Sequence, residues 1–159
     1  MPNERTLPSG FTISDDLARF DFAVGHRWIS QESYWAEGIA LAVFERALRN
    51  SLPVGVYTAS GDMAAMARVV TDRATFAWID DVFVDQARRG AGLGKAMMAY
   101  IVAHPDLQCL RRIHLATRDA HGLYARFGFV PFTGVGSWME VSDSQVYRRA
   151  GQSGQGPRG

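Results

Sequence analysis

Cysteine occurs once, at Cys109, so no disulfide can close within the chain. A lone thiol of this kind is expected to be buried and inert. The 4 histidines stand apart from cysteine and from carboxylates at ligand spacing, which excludes a structural zinc site and leaves no metal expected. An excess of one charge is also missing: 17 Lys and Arg against 16 Asp and Glu give a formal charge of +1. Without a basic face or a block of like charge, neither nucleic acid nor a membrane surface is an expected partner. No apolar run approaches the roughly 20 residues that span a bilayer, and the opening MPNERTLPSG is polar where a signal peptide needs an apolar centre. A cytoplasmic location is the expectation. No internal repeat is present.

What the chain does have is enough apolar material for one substantial core. At 159 residues and 47% hydrophobic content it reads as a single domain over residues 1–146. The stretch 147–159, ending RRAGQSGQGPRG, carries no apolar payload and is expected to be unstructured. LARFDFAVGHRWIS and YWAEGIALAVFERALRN carry helical spacing, the second placing Leu41, Phe44 and Leu48 on one stripe. SLPVGVYTAS, MAAMARVVTD and TFAWIDDVFVD read as three strands of an antiparallel meander, separated by turn residues. GLGKAMMAYIVAHP is helical up to Pro105, RRIHLAT is a strand, and DAHGLYARF is a short helix with Asp119 as N-cap and Gly128 as C-cap. FVPFTG and SWMEVS are expected to close the sheet as strands. The order predicts an α+β fold with a mixed, mostly antiparallel central sheet flanked by helices, and it disfavours the regular alternation of a Rossmann domain.

The junction DQARRGAGLGKAMMAY sets three glycines at alternate positions between a strand and a helix. Two phosphate loops of fixed spacing fail here. In a Walker loop Arg89 would occupy the first glycine's place and Ala96 that of the magnesium-holding hydroxyl; in a dinucleotide fingerprint the third glycine, Gly94, comes one residue early. What remains, Arg89-Gly90-Ala91-Gly92-Leu93-Gly94-Lys95, lets main chain approach a ligand with no Cβ in the way and adds the free N–H groups of a helix N-terminus. A pyrophosphate suits that geometry, and a bare strand-to-helix turn suits it equally well on the glycines alone.

Read outward, DVFVDQARRGAGLGKAMM followed about thirty residues later by GLYARFGF resembles the GNAT family of acetyl-CoA-dependent N-acetyltransferases, most closely over residues 41–132. The resemblance implies the acyl-CoA N-acyltransferase fold and acetyl-CoA as co-substrate. The CoA pyrophosphate would fall on Arg89, Gly92 and Gly94, with backbone donors from Gly90, Ala91, Leu93 and Lys95. Val82, Phe83 and Val84 would offer their backbone to the pantetheine arm as a substitute strand. The acceptor would be a small-molecule or peptide amine, with a homodimer left open. In the family the tyrosine of this second motif, here Tyr124, donates to the departing sulfur; a phenol of pKa about 10 giving its proton to a thiolate of pKa about 8.5 is uphill by roughly 2 kcal/mol, which favours a hydrogen-bond role.

The base is less legible. A glutamate carried by many family members on the strand before the tyrosine helix is replaced by Ala116, and the usual asparagine after it is absent. Asp80 and Asp81 remain, adjacent on a strand and so expected on opposite faces; Asp81 is the candidate catalytic residue, as base or as partner of a cationic acceptor. His121, three residues before Tyr124, is a secondary candidate for the base, and His26, Glu32, Tyr34 and Trp35 are candidates for the acceptor side. Direct transfer in a ternary complex follows, since no cysteine lies near the predicted site. A CoA-binding or regulatory module that has lost catalysis is the competing reading, carried by the absent glutamate and asparagine.

Overall fold

The structure is a computed structural model and describes residues 1–152. Six strands form one sheet in linear order: β1 Glu4–Thr6, β2 Thr12–Ser14, β3 Leu52–Tyr57, β4 Met63–Thr71, β5 Phe76–Val84 and β6 Arg112–Leu115. All neighbours are antiparallel except β5 and β6, which are parallel and joined through helix α3, Leu93–Val102. The fold class is therefore the expected α+β one.

The alternation of strand side chains makes two cores. On one face α3 buries Leu93, Met97, Met98, Tyr100 and Ile101 against Val54, Val56, Ala65, Ala67 and Ile79. On the other, α1 (Phe22–Arg27), a π-helical turn (Trp28–Glu32) and α2 (Leu41–Arg49) pack Trp28, Ile29, Phe44 and Leu48 on Met66 and Phe83. The short β1 and β2, unmarked in the sequence by any long apolar run, are tied to α3 from outside. Tyr100 donates to Asn3 O at 2.6 Å, and His104, whose Nδ1 accepts from the Asp106 N–H, sits with Nε2 2.8 Å from Asp15 Oδ2.

Several sequence expectations are corrected. The second helix does not begin at Tyr34: residues 34–40 are loop, Gly38 has φ of +78°, and Leu41 at the start of α2 is 43% exposed. Among the described residues no strand follows β6, so FVPFTG and SWMEVS do not close the sheet and β6 keeps a free edge. Cys109 is exposed rather than buried, in a turn with φ of +62°. Helix α5, Val146–Gln152, occupies the first part of the stretch expected to be unstructured, with Tyr147 against the second core; residues 153–159 lie outside the described residues. No helix among the described residues is long and apolar enough to cross a membrane.

One irregularity positions everything that follows. Across β4 and β5, Arg68 pairs with Asp80 and Met66 with Phe83, so the single residue Ala67 stands opposite both Asp81 and Val82. Asp81 takes φ of +51°, a left-handed conformation that Asp tolerates better than most residues. The extra residue is a β-bulge and it shifts the phase of the strand. Before it Ala77 and Ile79 face α3; after it the even-numbered Val82 and Val84 do, and Phe83 turns to Trp28.

Candidate active site

β6 pairs with β5 only as far as Ile79, so from Asp80 to Val84 the edge of β5 away from β4 is open. At the far end of that edge the chain turns through Gly90 (φ +85°) and Gly92 (φ +76°), and Gly92 is the N-cap of α3 without a capping side chain. A Cβ at either glycine would meet nothing within 4 Å, so the turn faces open space. The first closing bond of the helix runs from Ala96 N–H to Gly92 O; among the described residues the N–H groups of Gly92, Leu93, Gly94 and Lys95 find no acceptor. Unpaired donors at the positive end of a helix suit an anion such as the CoA pyrophosphate. Arg89 folds back instead, donating from Nε to Val84 O at 3.3 Å with its guanidinium over the Phe83 ring. Gly94 lies against Leu123 of α4 (His121–Ala125) and Val84, which places the tyrosine helix beside the open edge.

On the α1 and α2 side the sheet carries a cavity of about 620 Å³, lined among others by Tyr34, Trp35, Trp78, Asp80, Asp81 and Tyr124. The bulge overturns the expectation that the two aspartates face apart. Arg68 binds both, Nη2 to Asp80 Oδ2 and Nε to Asp81 Oδ2, each at 2.8 Å. Asp81 is 7% exposed, and its other oxygen, Oδ1, accepts from Trp35 Nε1 at 2.9 Å. Asp80 is the more open, its side chain 34% exposed, with Oδ1 accepting from the Asp81 N–H at 2.9 Å. Burial, and after it the charge of Asp81, raise the pKa of Asp80 despite Arg68. Arg68 was missed in the sequence, although a single cation inside the apolar run MAAMARVVT was its signal.

Tyr124 is 8% exposed and lines both this cavity and a wider one, about 990 Å³, that follows β6 and residues 127–133. Burial first, then Asp119 and Tyr34, raise its pKa, so its hydroxyl stays a donor. Neither expected cap is seen: the N-cap is Ala120 rather than Asp119, its N–H donating to Thr117 Oγ1 at 3.0 Å, and the C-cap is Arg126, with Gly128 two residues further on at φ of +86°. His121 lines only the wider cavity. His26 is held by Ile39 O at 2.7 Å, and Glu32 accepts from Gln86 Nε2 at 3.1 Å, so neither joins Tyr34 and Trp35 at the cavity.

A family model described as an acetyltransferase (GNAT) domain matches residues 50–131, over half of the chain and the whole segment that builds β3, β4, β5, the glycine turn, α3, β6 and α4. The chain belongs to the GNAT acetyltransferases. Its fold is similar to that of a Xanthomonas campestris protein assigned to the GNAT family, with 45% identity, a TM-score of 0.82, and coverage of 92% of this chain and 98% of that one. A Deinococcus radiodurans structure described as an acetyltransferase has a TM-score of 0.67 at 18% identity, covering 89% and 95%, which speaks for the fold alone. The spermine/spermidine N(1)-acetyltransferase of Bacillus subtilis is 39% identical over 57 residues, and the match spans 33% of this chain and 38% of that enzyme's length. In this GNAT chain, the open edge of β5, the glycine turn and the helix of Tyr124 all fall within the residues that the family model matches. Among the described residues no group of three or more His, Cys, Asp and Glu could hold a metal ion.

Proposed function

We propose that this chain is an N-acetyltransferase that moves the acetyl group of acetyl-CoA to an amine, by direct transfer with both molecules bound. The observation that carries the reading is a two-aspartate cavity lined by Tyr124, whose helix lies through Leu123 beside the glycine turn with its free donors and the open edge of β5. When bound, acetyl-CoA supplies the thioester acyl group. The donors from Gly92 to Lys95 would hold its pyrophosphate, and the backbone of Val82 to Val84 would pair with its pantetheine amides. A main-chain N–H on the same edge would polarise the acyl carbonyl.

An amine attacks only as the neutral base, so a group in the cavity must take its proton. Asp80 fits this better than Asp81. Both carboxylates have both oxygens hydrogen-bonded, but Asp81 is buried, whereas the side chain of Asp80 is 34% exposed and its raised pKa makes it a stronger proton acceptor than an ordinary aspartate. Asp81 instead fixes Arg68, and Arg68 orients Asp80. Tyr124 would donate a hydrogen bond to the sulfur, which leaves as thiolate when the thioester bond breaks, and would keep its own proton. An amine acceptor agrees with the activity of the B. subtilis relative, whose substrates are polyamines by name.

The test is CoA thiol release from acetyl-CoA across amines, amino acids, amino sugars and peptide N-termini. Release stimulated by an acceptor, with the acetylated product seen by mass spectrometry, is the expected result. Acetyl-CoA binding without release for any acceptor would refute the transferase reading in favour of a CoA-binding module.

A further inference from the structure

The cavity has opposite charge at its two ends. At the floor Arg68 offsets one of the two aspartates, so the ionised cluster keeps one negative charge. At the rim stands Arg118, on the connection from β6 to α4, exposed and with its guanidinium 3.6 Å from the centre of the Tyr34 ring. Tyr34 belongs to the opposite wall, the loop before α2; it packs edge-on against Trp35, and Trp35 donates to Asp81. Rim and floor are thus linked by one chain of contacts. None of the ion pairs among the described residues includes Arg118, and its neighbour Asp119 acts instead on Tyr124. A guanidinium that rests over an aromatic ring and enters no ion pair can offer its outer edge to an anion as a bidentate donor.

We propose that Arg118 is the specificity-determining residue of this site and selects an amine that also carries an anionic group, a carboxylate or a phosphate, at its far end. The inference rests on the transferase reading. The amine approaches Asp80 and the anion meets Arg118, so both ends of the acceptor are paired. A polyamine would bring its second ammonium against Arg118, where like charges repel. A cavity of about 620 Å³ has room for a metabolite of this kind.

The experiment compares kcat/KM for three groups: free amino acids beside their methyl esters, amino sugar phosphates beside the unphosphorylated sugars, and spermidine. In at least one of the first two groups the anionic member is expected to win by about fivefold or more, mainly through KM, the effect of one exposed ion pair. The faster group identifies the anion. Arg118→Glu is expected to raise KM for that acceptor about tenfold and to narrow its lead over spermidine, while Arg118→Lys keeps the preference. Because CoA is itself anionic, KM for acetyl-CoA is measured alongside and is expected to stay within about twofold. Preference of the wild-type chain for spermidine or for the neutral partners overturns the inference and leaves the transferase reading standing, as does a rise in KM for acetyl-CoA alone. No release with any amine overturns both.

Discussion

Exchanging each of the adjacent aspartates for asparagine separates chemistry from scaffolding. Asp80→Asn removes the proton acceptor but keeps an oxygen for the Asp81 N–H; its NH₂ then faces Arg68 Nη2, a contact that water can take over at this partly open position, and Arg68 retains Asp81. Loss of a general base costs about 10²–10⁴ in rate, so kcat/KM is expected to fall at least about 10²-fold, or roughly 2.7 kcal/mol of barrier. Stability should hold. Because the folded-state pKa of Asp80 is raised, its protonated form is the favoured one, and the stability it contributes at low pH is lost as pH rises through that pKa. At neutral pH the native carboxylate is therefore a cost, and a neutral amide leaves the melting temperature unchanged or higher. Asp81→Asn behaves in the opposite way. As with Asp80, both oxygens of Asp81 face donors, here Trp35 Nε1 and Arg68 Nε, but Asp81 is buried, so no water replaces the bond lost when the new amide NH₂ points at one of them. Losing a buried hydrogen bond to a charged group costs about 1.5–3 kcal/mol. At roughly 2–4 °C per kcal/mol for a chain of this size, the melting temperature should drop by about 3–12 °C. Thiol release and thermal denaturation measured on both variants decide the matter. An Asp80→Asn enzyme of near wild-type rate, or an Asp81→Asn enzyme that is inactive yet melts normally, would refute the assignment.

Other expectations follow from the same geometry. The rate-pH profile of kcat/KM should show a rising limb as Asp80 ionises, above the ordinary carboxylate pKa, and that limb should vanish in Asp80→Asn; a limb that survives assigns it to another group. Gly92→Glu puts a side chain on a left-handed residue, a strain of about 1–2 kcal/mol, and adds negative charge beside the free donors. By calorimetry it should weaken acetyl-CoA binding far more than Tyr124→Phe does, and equal losses would contradict the division of roles. Tyr124→Phe should lower kcat by about 10²-fold with little change in acetyl-CoA affinity, whereas unchanged turnover would make the residue a packing element. Acetyl-CoA at about 100 times its Kd should stabilise the fold by about 2.7 kcal/mol, which calorimetry reads as a rise of about 5–10 °C; no shift would remove the cofactor site.

What was legible in the sequence was local. The alternating glycines, the helical period of α3 and the GLYARFGF helix each carry their pattern within a few residues, and so could be placed before the fold was known. The pairing of Arg68 with two aspartates was not legible, because it depends on register across two strands separated by a turn. The opposite-face expectation for Asp80 and Asp81 failed for the same reason: strict alternation assumes that no residue is inserted, and Asp is not a residue whose identity announces a bulge. The closing strands illustrate another limit. FVPFTG and SWMEVS have strand composition, yet Val130, Met139 and Val141 are exposed, since a strand requires a partner edge as well as a propensity. The late start of the second helix, after a loop that turns at Gly38, was signalled only by a glycine that many helices tolerate.

The bulge at Asp81 also makes the site depend on the count of residues and not only on their kinds. Were β5 to run straight through Asp81 with the same number of residues, strict alternation would exchange inside for outside from Val82 onward, turning Phe83 from Trp28 towards α3 and Val82 and Val84 out of the core they now share. Deleting Asp81 would instead leave those faces as they are and remove the carboxylate that Arg68 and Trp35 hold. For this strand, an insertion or deletion is a different kind of mutation from an exchange, and chain length between Ile79 and Val82 is itself part of the encoded site.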